Sequence, residues 1–361
     1  MSGGGAGAGG GWSGGVLIGT AVQRYETGAG RLASIPQAAG NLVDLEAALT
    51  RPGGFFTKGS LALVPNPDKA ETVHDAIARL PSRGTVLCYF TGHGLDVDNR
   101  LYLALPGTVD TVETRRSTAL PVRALLEQLA SGPDPNRRVV LILDCCHAGL
   151  AVWEEYAADV HLLAAVGKKA KAKYEGAQRN TAFTAALLQA LTGGIPDGAG
   201  KITLDSLFRF ARNRILAALP PDKCPHQRSV DDSGRIALAP NPAFEAVPTP
   251  AGFAARQQFA RAAGNYRDAT WAAELYASLA KDAESALVAR SAVVSPAELF
   301  DYRRRAAAWR GEAGDPAEAV QQLEALLMRH AAGVPAQDVA LAEQSLAHWR
   351  GLAKPGDSAR F

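Results

Sequence analysis

Two residues of this chain combine a type and a setting suited to covalent chemistry. One is Cys146, in the run Asp144-Cys145-Cys146-His147-Ala148-Gly149; the other is His93, in Tyr89-Phe90-Thr91-Gly92-His93-Gly94. A thiol attacks as its thiolate, and forming that anion at neutral pH takes a base or a positive neighbour, which an imidazole supplies. The same imidazole can return the proton to a departing amine. Glycines beside both residues, Gly92, Gly94 and Gly149, let backbone approach a bound molecule and turn N–H donors toward an oxyanion. Taken alone, a cysteine at the end of an apolar strand is usually a small core residue, and Gly-His-Gly turns also occur in structural settings. The pair is what carries meaning.

Such chemistry needs both side chains delivered to one place. Apolar runs alternate with helical spacing along the first two thirds of the chain, the pattern of a sheet flanked by helices. Val16–Ala21, Leu61–Val64, Thr85–Thr91, Arg138–Asp144, Asp159–Val166 and Arg235–Ala239 read as strands. Asn41–Leu49, Ala70–Leu80, Leu120–Ala130, Thr181–Leu191 and Leu204–Leu219 read as helices. His93 and Cys146 each follow a strand, where an open, largely parallel sheet places its ligands. Strand alternation points Cys145 away from Cys146 and into packing. Cys88 lies within a strand, His147 is structural, and Cys224 with His226 is too sparse for a metal site.

Both motifs, their order and their separation of 53 residues resemble the caspase clan, in which the histidine lies about 50 residues before the cysteine. The cysteine signature of the animal enzymes is absent, and the Asp-x-Cys-His-x-Gly pattern is similar to metacaspases and bacterial caspase-like peptidases (peptidase C14). The resemblance covers roughly residues 14–245, with weaker echoes at Leu162–Ala165 and Ala182–Leu188. It implies an α/β fold with a mostly parallel six-stranded sheet, cysteine endopeptidase activity through a Cys146/His93 dyad, and an oxyanion hole from the N–H groups of Gly94 and Cys146. It further implies that Asp144 lies in the S1 pocket, with Thr91 lining it and a second acidic residue contributed near the first helix. Asp44 is the better match for that residue and Asn41 its competitor. A carboxylate in a partly dry pocket favours a cation, so cleavage after Arg or Lys, and not Asp, is expected.

No cofactor is expected. Asp96 and Asp98 offer two carboxylates to the calcium that some metacaspases need, but paired loop carboxylates are more often solvated. The densest basic run, with Lys168, Lys169, Lys171, Lys173 and Arg179, is either a solvated loop or a processing loop that an enzyme cutting after basic residues would cleave in trans.

The 361-residue length suits two domains. Expected are a flexible Gly-rich tail over 1–14, the peptidase domain over 15–245 and an Ala-rich helical domain over 250–357. In the last, Ala308-Trp309-Arg310-Gly311 recurs as His348-Trp349-Arg350-Gly351, the tryptophans 40 apart, and Gly264-Asn265 echoes Gly314-Asp315. This resembles long tetratricopeptide repeats, the alternative being an Ala-rich bundle without true repeats. Either serves better for binding a protein than for catalysis. With 38 Lys+Arg against 36 Asp+Glu the charge is only +2, which disfavours nucleic acid. Four cysteines without a disulfide framework fit a reducing compartment, the tail lacks the features of a signal peptide, and no apolar run reaches the ~20 residues of a membrane span. A cytoplasmic protein acting on protein substrates, in bacterial defence or cell death, is therefore expected. The competing function is a catalytically silent scaffold acting through protein binding; an acyl hydrolase or transferase using the same dyad is a third class without a motif of its own.

Overall fold

The computed structural model describes residues 12–24, 31–131, 134–155, 159–166, 178–220, 223–266 and 268–353. Two compact units emerge, one of residues 1–194 and 201–242 and the other of 195–200 and 243–361. No described helix is long and apolar enough to cross a membrane.

The first unit is built on a six-stranded sheet in the order β10-β8-β7-β3-β1-β2. Its strands are β1 (Trp12–Gly19), β2 (Leu61–Pro65), β3 (Thr85–Thr91), β7 (Arg138–Asp144), β8 (Val160–Ala164) and β10 (His226–Arg228). All neighbours run parallel except β10, which pairs antiparallel with β8. The continuous apolar runs of β3 and β7 are what a sheet covered on both faces requires. Val16, Ile18, Cys88, Phe90, Leu141 and Leu143 pack on the side of α2 (Ala70–Ala78) and α4 (Val122–Ala130). The alternate positions Leu17, Leu87, Tyr89 and Ile142 are equally buried and face the other way. On that side α1 (Gln37–Leu49) lies against β1 and α5 (Ala182–Gly193), which in turn packs on α6 (Leu204–Ala218).

Two expectations change here. The main sheet starts at Trp12, inside the stretch assigned to the flexible tail, because Trp12 pairs with Thr85 and its indole donates to the Ala237 carbonyl. The Arg235–Ala239 strand, observed as β11 (Ala237–Pro240), leaves the main sheet and pairs with β9 (Lys201–Thr203). The sixth place goes to the short polar strand β10. A further small sheet, β4 (Gly94–Val97), β5 (Arg100–Leu103) and β6 (Leu120–Pro121), follows His93 directly.

Burial also isolates one histidine. His161 on β8 is 1% exposed; Gln227 donates to its Nε2 at 3.1 Å and its Nδ1 meets Ser233 Oγ at 2.7 Å. Loss of solvent holds its pKa down to about 4, only partly offset by the Asp205 carboxylate.

The second unit is all-helical: α7 (Pro250–Asn265), α8 (Ala269–Val288), α9 (Pro296–Glu312), α10 (Pro316–His330) and α11 (Ala336–Leu352), each packed on the next. Asp268 and Asp315 cap α8 and α10 through the N–H groups of Trp271 and Glu318. Gly264 and Gly311 sit one residue before the ends of α7 and α9. A Cβ on Gly264 would fall 2.3 Å from the Trp309 ring, and one on Gly311 would fall 2.5 Å from the Trp349 ring. The two tryptophans thus occupy equivalent notches, one helical pair apart.

Candidate active site

β3 and β7 pair parallel from Thr85 opposite Arg138 to Thr91 opposite Asp144, an offset of 53 residues. That offset equals the separation of His93 from Cys146. Each residue therefore stands two positions beyond the end of its strand, and adjacent strand ends bring them level. The backbones stay in contact past the strands. Gly92 N–H donates to the Asp144 carbonyl at 3.3 Å, and a Cβ placed on Gly94 would lie 2.0 Å from the Cys146 carbonyl oxygen and 2.9 Å from Cys145 Sγ. Glycine is required at 94 by this approach, whatever its dihedral angles.

Beyond Cys146 the chain turns sharply. His147 takes left-handed dihedrals (φ 58°, ψ 13°), leading into a 3-10 turn over Ala148–Trp153, and Gly149 N–H is tied to the Val166 carbonyl at 2.9 Å. Cys146 is half-buried at this corner, whereas Cys145 is enclosed in the core. Burial, with Cys146 and Asp144 as neighbours, pushes the Cys145 thiol well above its usual range and leaves it inert.

The His93 ring is oriented by an atom that sequence motifs do not encode: its Nε2 lies 2.6 Å from the Ala33 carbonyl oxygen. The tautomer with hydrogen on Nε2 satisfies that contact and leaves Nδ1 with a lone pair. Burial lowers the His93 pKa, while the Ala33 contact and the Asp110 carboxylate act the other way. The lowered pKa favours the neutral imidazole, the form that can accept a proton.

Asp144 lies behind this pair, 1% exposed. Its carboxylate accepts from Thr181 Oγ1, from Thr184 Oγ1 at 2.6 Å, from Asn41 Nδ2 at 3.3 Å and from Tyr89 OH at 3.4 Å. Asn41 also donates to Thr91 Oγ1 at 2.9 Å and accepts from Thr181 N–H at 3.1 Å. Among the described residues the side-chain donors to Asp144 are all neutral, so dipoles and not a cation offset its charge when it is ionised. Burial raises its pKa against the lowering effect of these bonds. The adjoining cleft, lined by Val166, Thr181, Phe183, Ile215 and Lys223, holds only about 10 Å³. Among the described residues this is room for about one water molecule.

Of the two candidates on α1, it is Asn41 that meets Asp144 and Thr91. Asp44, three residues on, turns to Arg179, whose Nε and Nη2 grip it at 2.7 Å each, with Asn180 adding a bond at 3.0 Å. The guanidinium holds the Asp44 carboxyl below its usual range. Asn41 thus enters the site, while Asp44, nearly one turn further along α1, meets Arg179 and Asn180 instead. Lys168, Lys169, Lys171 and Lys173 lie outside the described residues.

Asp96 and Asp98 flank the β4–β5 turn. Asp96 accepts from Asn99 N–H at 2.9 Å and Asp98 is paired with Arg116. Among the described residues no three His, Cys, Asp or Glu side chains converge as metal ligands.

Residues 54–233 match the peptidase C14 family, described as the caspase domain. The match spans His93 and Cys146 but begins after α1. No curated protein matches the chain. Among solved structures, caspase-1 from Spodoptera frugiperda is similar at 14% identity, over 60% of this chain and 88% of that one, with a TM-score of 0.43. The structure of pro-sf-caspase-1 is similar at 12% identity, over 63% and 94%, with a TM-score of 0.44. Residues 54–233 thus match the caspase domain, whose family consists of cysteine peptidases, within a caspase-like α/β fold that a helical region follows.

Proposed function

We propose that the protein is a cysteine endopeptidase that cuts peptide bonds after Arg or Lys with Cys146 as nucleophile and His93 as general base. The observation that carries this reading is the matched register: β3 and β7 end level, and each sends its reactive residue two positions further. The Cys146 proton passes to His93 Nδ1, and the thiolate attacks the scissile carbonyl. The N–H groups of Gly94 and Cys146 receive the oxyanion. His93 then returns the proton to the leaving amine, and water, deprotonated by the same ring, releases the thioester.

Asp144 serves as the base of the S1 pocket, beside Thr91 and Asn41. A carboxylate surrounded only by neutral donors gains most from an arriving cation and repels an acidic side chain. Because the cleft is closed, substrate or an activating event must shift the wall formed by Thr181 and Lys223. Asp44 contributes outside the pocket by holding Arg179 at the start of α5, and the lysines at 168, 169, 171 and 173 mark a segment for cleavage in trans. The helical region acts as tetratricopeptide-like repeats that recruit a partner or substrate in the cytoplasm, in a bacterial defence or cell-death pathway.

The closed cleft also favours a second reading, a caspase-like scaffold without turnover. Fluorogenic peptides with Arg, Lys or Asp before the scissile bond separate the two. Turnover of the Arg and Lys peptides, abolished by Cys146→Ala, is expected. Selectivity for Asp would overturn the pocket assignment, and turnover surviving Cys146→Ala would overturn the mechanism. A folded wild type inert toward all peptides, also after trypsin nicking, would leave the scaffold.

A further inference from the structure

Away from the thiol site, the helical unit holds a cleft of about 400 Å³ between α8, α9 and α10, within the size range of ligand sites. Its shape follows from residue spacing. Ala277, Ala280, Lys281 and Glu284 recur on one face of α8, while Gln322, Ala325, Leu326 and Arg329 recur on one face of α10. Between these walls α9 presents Arg303 and Ala306. Alanine at the deep positions leaves space that larger side chains would fill, and the long cations stand around it.

The charge of the cleft is one-sided. Lys281, Arg303 and Arg329 line it against a single carboxylate, Glu284. This excess matches the formal +2 of the entire chain. Glu284 takes one arm of Arg303, accepting from Nη2 at 2.7 Å, but the buried Nη1 has no hydrogen-bond partner. Lys281 and Arg329 make no ion pair with any described residue. A buried guanidinium N–H without an acceptor is costly, and two further cations beside it repel one another until an anion arrives.

Resting on the proposed role of the helical region in recruitment, we propose that this cleft receives an acidic peptide segment of a partner protein. Its carboxylates bond to Arg303 Nη1, Lys281 and Arg329, and a small apolar side chain lies on the alanine floor. A nucleic-acid duplex and a flat bilayer present their charge on surfaces too broad to enter a recess of this volume, whereas a peptide chain fits.

The test uses the full chain carrying Cys146→Ala, so that binding is read without turnover, and fluorescence anisotropy of a labelled short peptide alternating Glu with Ala and Leu. Its Lys-for-Glu counterpart, inorganic phosphate and anionic vesicles are the competitors. The acidic peptide should bind, and Lys281→Glu with Arg329→Glu, both exposed positions, should weaken it by more than about tenfold. In the chain with Cys146 intact, the same two changes should leave hydrolysis of a short Arg substrate unaltered. Equal binding of the acidic and basic peptides, binding indifferent to the two changes, or displacement by phosphate or vesicles as effective as by unlabelled peptide would each overturn the proposal. Loss of the Arg-peptide activity in the parent enzyme would instead strike the peptidase reading and leave this one standing.

Discussion

The two units hold themselves together in opposite ways. In the α/β unit the decisive contacts join segments far apart in sequence: β3 to β7 across 53 residues, and Asn41 to Thr181 across 140. The helical unit instead repeats a nearest-neighbour device, a tryptophan on one helix seated over a glycine near the end of the helix two before it. A defect in the first should therefore reach the thiol site, whereas a defect in the second should remain where it is made.

The largest effect expected from this contrast is in the helical unit. Trp349→Ala empties the notch over Gly311 and should cost about 3–5 kcal/mol of that unit's stability. Calorimetry should show one transition lowered, with hydrolysis of short Arg peptides kept; loss of peptide activity would mean that the damage had spread.

Acid should act on the α/β unit. His161 is neutral and buried in the folded chain with a pKa of about 4, against about 6.5 when unfolded. The unfolded chain thus binds the extra proton between these values. The contribution is fully present above pH 6.5 and is lost as pH falls toward 4, by roughly 3 kcal/mol in all. Denaturant midpoints measured across this range should fall with pH for the wild type and less steeply for His161→Gln.

Next in size, Gly94→Ala forces a Cβ into the Cys146 carbonyl so that backbone must shift, and kcat/KM should drop by about 100-fold or more with the melting temperature lowered as well. Alanine at Gly193, where a Cβ meets nothing within 4 Å, is the control. The smallest effect belongs to Asp44→Asn, since its partner Arg179 is exposed. Stability should barely move, but the segment before Arg179 should be cut faster by added trypsin. Unchanged cutting would show that the pair does not protect that segment.

Much of the frame was legible from the chain alone, for a physical reason. β3 and β7 are uninterrupted apolar runs, and their observed bounds, Thr85–Thr91 and Arg138–Asp144, are those the runs mark out. What escaped notice carried no apolar signal. β10 is three polar residues on an edge, and the start of β1 is hidden among glycines. The Asp98–Asn99 pair, with φ of 53° and 60°, closes a two-residue hairpin whose flanking strands are only four residues each. At the site, the contact of His93 with Ala33 is made by a backbone carbonyl that any residue would supply. The choice between Asn41 and Asp44 depends on helix rotation, to which a count of residues along one turn is blind.

The level ends of β3 and β7 also say what the distance between His93 and Cys146 along the chain means. Proximity is set by two steps past Thr91 and two past Asp144, not by the number of residues that intervene. The stretch from β4 to the start of β7 could be lengthened or trimmed at its surface turns, at a small loop-closure cost, and His93 and Cys146 would still stand level at the strand ends. One extra residue between Asp144 and Cys146 would carry the sulfur to the opposite side of the turn and part them.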